Sequence, residues 1–133
     1  MMKKKLFTGI LVAAMSLSVL SAPAFAAKQY YSFSVTTSND VAYTAGNPKD
    51  DDEQRAYVYT QSGNIASSDR FYFSVYSQPI NNSTYKQTSY TQITSNSGRY
   101  LLNYYTHVSK GQYKYLQADT DRYKVSVSGY WYS

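Results

Sequence analysis

The chain contains no cysteine, one histidine (His107) and one glutamate (Glu53). Without thiols it can form no disulfide and no thiolate metal site. One imidazole is too few for a histidine-built zinc centre. A Ser-His-Asp arrangement around His107 lacks the Gly-x-Ser-x-Gly turn that would present the nucleophile. No glycine-rich loop of the phosphate-cradling type occurs among the six glycines. Paired carboxylates for glycoside hydrolysis need placement on a concave site, yet four of the eight acids crowd into Asp50-Asp51-Asp52-Glu53. That run is no calcium loop either: its acids are contiguous rather than alternate, and Arg55 stands where the sharp-turn glycine would fall. Asp119-Thr120-Asp121 is better spaced but runs directly into Arg122 and Tyr123. The expectation is a non-enzymatic protein with no catalytic residue, no metal and no organic cofactor.

The basic excess of +5 is also mostly lost on inspection. Lys3, Lys4 and Lys5 precede the apolar stretch Leu6–Leu20, and Ala24-Phe25-Ala26 offers small residues to a signal peptidase. Residues 1–26 therefore read as an export signal, too short in its apolar part to span a bilayer. Removing the three lysines leaves 10 basic and 8 acidic side chains on residues 27–133, a net charge of +2. Such a balance gives no electrostatic footprint for nucleic acid. No cysteine follows the signal to carry lipid, and no wall-sorting tail follows Trp131. The expected location is secreted, or held non-covalently at a bacterial envelope, with no transmembrane segment in the mature chain.

Residues 27–133 are poor in aliphatics, with 16 Leu, Ile, Val and Phe together, and hold all 17 tyrosines. Tyrosine supplies the missing apolar area while keeping a polar tip. Apolar residues alternate with period two in Tyr31–Val35, Arg55–Thr60, Phe71–Tyr76, Arg99–Val108 and Tyr123–Tyr132. Tyr85–Thr94 is polar and β-rich and reads as an edge or half-exposed strand, and Gln112–Gln117 as a further strand. Outside the export signal no window carries the helical spacing. Ser62-Gly63-Asn64, Ser95-Asn96-Ser97-Gly98 and Ser109-Lys110-Gly111 carry the residues that hairpin turns use. One all-β domain over residues 27–133 is expected, an antiparallel sandwich or barrel of about seven strands. Its core should include Phe33, Val35, Val58, Phe71, Phe73, Val75, Leu102, Val125, Val127 and Trp131.

Alternation places Tyr57, Tyr59, Tyr72, Tyr76, Tyr130 and Tyr132 opposite that core, facing outward. Flat aromatics among polar neighbours can stack on sugars or anchor a protein interface, so cell-wall glycan or an envelope protein is the expected partner. Tyrosine alternating with Ser, Thr, Gln and Asn is also a composition found in assembling proteins.

The export signal, Arg55-Ala56-Tyr57-Val58-Tyr59 and the closing Tyr123-Lys124-Val125-Ser126-Val127-Ser128-Gly129-Tyr130-Trp131 resemble a group of small exported Bacillus-type proteins defined as a domain of uncharacterised function. The resemblance spans most of the mature chain and implies an exported β domain, without assigning an activity or site residues. More distantly, the size, signal, absence of cysteine and aromatic last strand are similar to the lactococcin-972-type β-sandwich bacteriocins. This chain is longer and lacks their His-rich mature start. Three functions follow as expectations: contact at the envelope through tyrosine-rich sheet faces, bacteriocin-like killing, or extracellular matrix assembly.

Overall fold

A computed structural model describes residues 28–36, 41–66, 68–121 and 123–133. The proposed export signal lies outside the described residues. In chain order the strands are β1 (Gln29–Val35), β2 (Val41–Tyr43), β3 (Asn47–Pro48), β4 (Arg55–Gly63), β5 (Phe71–Tyr76), β6 (Thr91–Gln92), β7 (Gly98–Asn103), β8 (Tyr113–Thr120) and β9 (Val125–Tyr132). They form two antiparallel sheets packed face to face. One has the order β1-β9-β4-β7; the other has the order β2-β8-β5-β6, with β3 paired to β8. This is a β-sandwich.

Period-two alternation explains why these segments are strands. Along β9, Val125, Val127, Gly129 and Trp131 are buried while Ser126, Ser128, Tyr130 and Tyr132 are half-exposed. All ten expected core residues are buried, joined by Tyr31, Ala56, Ile93, Leu116 and Ala118. Trp131 is fully buried, and its indole Nε1 donates to Gln29 Oε1 at 2.7 Å, directly across the β1–β9 pair. A polar side chain in the core thus removes the cost of an unpaired indole N–H.

Turn chemistry is a poorer guide. Gly111 has φ +89 and turns the chain into β8, as its setting suggests. Ser62-Gly63, expected in a hairpin turn, instead lies inside β4 and pairs with Ser128 and Val127 of β9. A register shift between Thr60 and Ser62 lets β4 continue beyond its alternating part. Gly63 is needed for close approach, since a Cβ there would stand 2.7 Å from the Ser126 carbonyl oxygen. Among strands adjacent in sequence, β5–β6 is a paired hairpin, whereas the other links among the long strands cross between sheets. Tyr85–Thr94, expected as an edge or half-exposed strand, does supply an edge in β6, but only two residues long, after a 3-10 turn at Ser83–Tyr85 and bridges at Lys86 and Thr88.

Candidate tyrosine face

The outer face of the β1-β9-β4-β7 sheet is divided along its strands. At one end stand hydroxyls: Ser32 and Ser34 of β1, Ser126 and Ser128 of β9, and Ser62 of β4. Ser62 and Ser128 share a hydrogen bond at 2.8 Å. At the other end stand tyrosines, for a reason fixed by register. Tyr30 lies opposite Tyr130, Tyr130 opposite Tyr59, and Tyr59 opposite Arg99, which makes one row across all four strands. Two residues along, Tyr132 lies opposite Tyr57, and Tyr57 opposite Leu101.

The rings in these rows brace one another. Tyr59 and Tyr130 stack with centroids 4.6 Å apart and planes at 17°. Tyr132 meets both edge-on, at 6.2 Å and 6.0 Å, and Tyr30 meets Tyr130 edge-on at 5.8 Å. Each such pair is worth about 0.5–1.5 kcal/mol beyond area burial. Two cations flank the rings. Lys28 Nζ lies 4.3 Å from the Tyr130 centroid, and the Arg99 guanidinium lies 6.0 Å from that of Tyr57. The hydrogen bond with Tyr30 raises the Lys28 pKa, so this ammonium remains charged at neutral pH. The Tyr57 hydroxyl donates to Glu53 Oε1 at 2.7 Å, and the Glu53 contact raises the phenol pKa.

Side chains stand roughly perpendicular to a sheet. Rings packed side by side in this way offer edges and hydroxyl tips to a partner more than open faces. Tyr30 is the most exposed of them, at 42%. Because neighbours hold the rotamers, little side-chain entropy remains to be lost on binding. Chemically the face can hydrogen-bond, make edge contacts and attract negative charge.

Of the six expected outward tyrosines, Tyr57, Tyr59, Tyr130 and Tyr132 come together here. Tyr72 and Tyr76 lie on the outer face of the opposite sheet. Tyr72 is half-exposed and meets Tyr90 edge-on at 6.1 Å. Tyr76 takes that outer face as expected, but its assignment to an exposed contact surface is corrected, for it is only 1% exposed. Its ring packs edge-on against Tyr43 at 5.6 Å, and its hydroxyl meets that of Tyr90 at 3.4 Å. The segment after β5 folds back along this part of the sheet, with Gln87 N donating to the Val75 carbonyl and Lys86 bridging Tyr76. Burial raises the Tyr76 phenol pKa well above the usual range. Tyr30, Lys28 and Arg99 were missed. Tyr30 could have been found, because Tyr31 pointing inward turns its neighbour outward.

His107 is exposed and lies away from these rows, in the segment after β7. Among the described residues no group of three His, Asp or Glu side chains stands together to hold a metal ion. Compared with models of known protein families, the chain matches none, and no curated protein matches it.

Proposed function

We propose that this is an exported, non-enzymatic protein that binds cell-wall glycan through the tyrosine end of the β1-β9-β4-β7 sheet. The observation that supports the reading is the braced row Tyr30–Tyr130–Tyr59, with Tyr132 and Tyr57 beside it and cations at both flanks. A hydroxyl-rich polymer finds phenolic donors and acceptors there, and Lys28 and Arg99 suit a glycan that carries acidic groups. An envelope protein is the alternative partner. Export rests on the basic, apolar and small-residue order of residues 1–26.

The test is co-sedimentation of the purified chain with isolated cell wall, before and after enzymatic removal of wall-bound protein. The expected result is retention on protein-free wall, with loss when Tyr57, Tyr59, Tyr130 and Tyr132 are all replaced by Ser at an unchanged fold. Equal retention of that variant would overturn the reading. Retention only on protein-bearing wall would move the partner from glycan to protein. Growth inhibition of related bacteria by the purified chain would favour the bacteriocin-like reading, and concentration-dependent β-rich polymers the assembly reading.

A further inference from the structure

At the end of the sandwich where β8 begins, a polar cleft of about 500 Å³ is lined by Gln87, His107, Gln112, Tyr113 and Lys114, among others. Lys114 is the unusual member, because the side chain is 3% exposed yet borders the cleft. Its Nζ donates to the neutral Gln87 Oε1 at 2.7 Å. An ammonium has three donors, and among the described residues no other acceptor takes the remaining two and no carboxylate pairs with it. The neighbouring charge is of like sign: Lys49 lies close enough to disfavour the charged form of Lys114. Lys49 itself is neutralised, donating to Asp51 Oδ1 at 2.9 Å. Other titratable groups nearby are Tyr104, whose ring lies 5.5 Å from Lys49 Nζ, and His107, Tyr113 and Tyr115 on the cleft wall, while Lys49 Nζ also donates to Ser133 O at 3.4 Å.

A buried cation without a counter-ion costs several kcal/mol unless something compensates it. Lys114 pairs through its backbone with Asn47 of β3. The Gln87 backbone is locked on both sides, N to the Val75 carbonyl at 2.8 Å and carbonyl to Tyr105 N at 2.9 Å. Gln112 accepts from Lys49 N through its carbonyl at 2.9 Å. The backbone of the cleft wall is therefore held at these points. Around the ammonium the lining is rich in amides and hydroxyls, with Ser77, Gln78 and Thr106 completing a surface that hydrogen-bonds in many directions.

We propose that this cleft binds a sugar bearing an acidic group, carboxylate or phosphate, with the acid on Lys114 and the sugar hydroxyls on the surrounding amides, His107 and Tyr113. The acid supplies the missing counter-charge and takes the two free donors as charge-assisted hydrogen bonds. Burial, aided by Lys49, holds the Lys114 pKa below its ordinary value in the free protein. A bound anion raises it again. Affinity is thus greatest while Lys114 is protonated in the free protein, falls as pH rises through that pKa, and levels off above the pKa of the complex. This inference does not rest on the tyrosine face, which could fail its own test without affecting the cleft.

The experiment is NMR of the intact chain with ¹³C-labelled lysine, following the Lys114 Cε–Hε signal during titration with galacturonic acid, glucose 6-phosphate, glucose and inorganic phosphate. The expected result is a saturable shift and a raised Lys114 pKa with one or both acidic sugars, and neither effect with glucose. Galacturonic acid alone would mark a carboxylate site, and glucose 6-phosphate alone a phosphate site. Lys114→Gln should weaken binding by about tenfold or more. His107→Ala, on the exposed wall, should weaken it less while leaving the fold intact, read through the shifts of the other cleft residues. No response at Lys114 to either acidic sugar would overturn the proposal. An equal response to glucose would overturn the role of the anion, and inorganic phosphate binding as tightly as the sugars would overturn the role of the hydroxyls.

Discussion

Two glycines and one tryptophan show how single residues hold this sandwich together for different reasons. At Gly129 an added Cβ would collide with the Tyr59 backbone oxygen and come within 2.7 Å of the Tyr31 hydroxyl. Tyr31 uses that hydroxyl to donate to the same Tyr59 oxygen at 2.7 Å, so neither group can move without losing the other. Gly129→Ala should destabilise the protein by about 3 kcal/mol, the upper part of the overpacking range. At Gly111 a Cβ meets nothing, and the cost is that of a positive φ alone, about 1–2 kcal/mol for Ala. Urea unfolding of the two variants checks the order, and equal losses would contradict it. The buried Trp131–Gln29 pair supports a separate test. Gln29→Leu strands the indole N–H and should cost about 1–3 kcal/mol. On a Trp131→Phe background there is no N–H to strand, so the same change should cost much less. Simple additivity in this double-mutant cycle would show that the hydrogen bond contributes nothing.

At the scale of the element, the difference between the two sheet faces decides what alternation could reveal. Val125–Tyr132 has one face in the core and one outside, so its inward set was readable residue by residue, and Tyr57, Tyr59, Tyr130 and Tyr132 followed as the opposite set. Alternation says which side of a strand a residue takes, but not whether something covers that side. On β5, Phe71, Phe73 and Val75 face the core as expected, yet Ser74 and Tyr76 on the other face are also buried. The chain that covers them, from Ser77 to Tyr90, is polar and carries no periodic signal. Which strands pair was likewise hidden. A Gly or Asn marks a change of direction, whereas the partner is set by distant residues such as Gln29 and Trp131. The Lys114 cleft was invisible for the same reason, because Gln87 and Lys114 meet only through tertiary packing. One consequence can be measured on β5 itself. Tyr76→Ala should cost about 3–5 kcal/mol, as for other buried aromatics. Tyr72→Ala, four residues before it on the same face, should cost clearly less because that ring is half-exposed. Similar losses in thermal or urea unfolding would mean that the cover over Tyr76 is not formed in solution.

For the whole molecule, a core built with tyrosine in place of aliphatics couples folding to alkaline pH. Tyr31, Tyr76 and Tyr104 have phenol pKa values raised chiefly by burial, well above the usual range. A group whose folded pKa exceeds its unfolded value contributes its full stabilisation below the unfolded value, about 10 for tyrosine. Above that pH the unfolded chain releases protons that the folded chain retains, so stability falls with each further rise. Lys114 acts in the opposite sense over a lower window. Its pKa is lowered by burial and by Lys49, so the folded protein sheds that proton first. Stability should therefore rise slightly between its folded pKa and the unfolded value near 10.4. From neutral pH the combined curve is flat or gently rising up to about pH 10 and steep beyond it, since three phenols outweigh one ammonium. Phenols that solvent already reaches ionise without unfolding. Tyrosinate absorbance should accordingly appear in two stages, a reversible one near pH 10 and a cooperative one coincident with loss of the β circular-dichroism signal. Replacing Tyr31 by Phe removes one of the three buried phenols and also the hydrogen bond to Tyr59. That variant should be less stable at neutral pH but lose stability more slowly with each step in pH above about 10. A single smooth absorbance transition for all tyrosines, with the fold intact throughout, would show that Tyr31, Tyr76 and Tyr104 are not shielded from solvent in the folded protein.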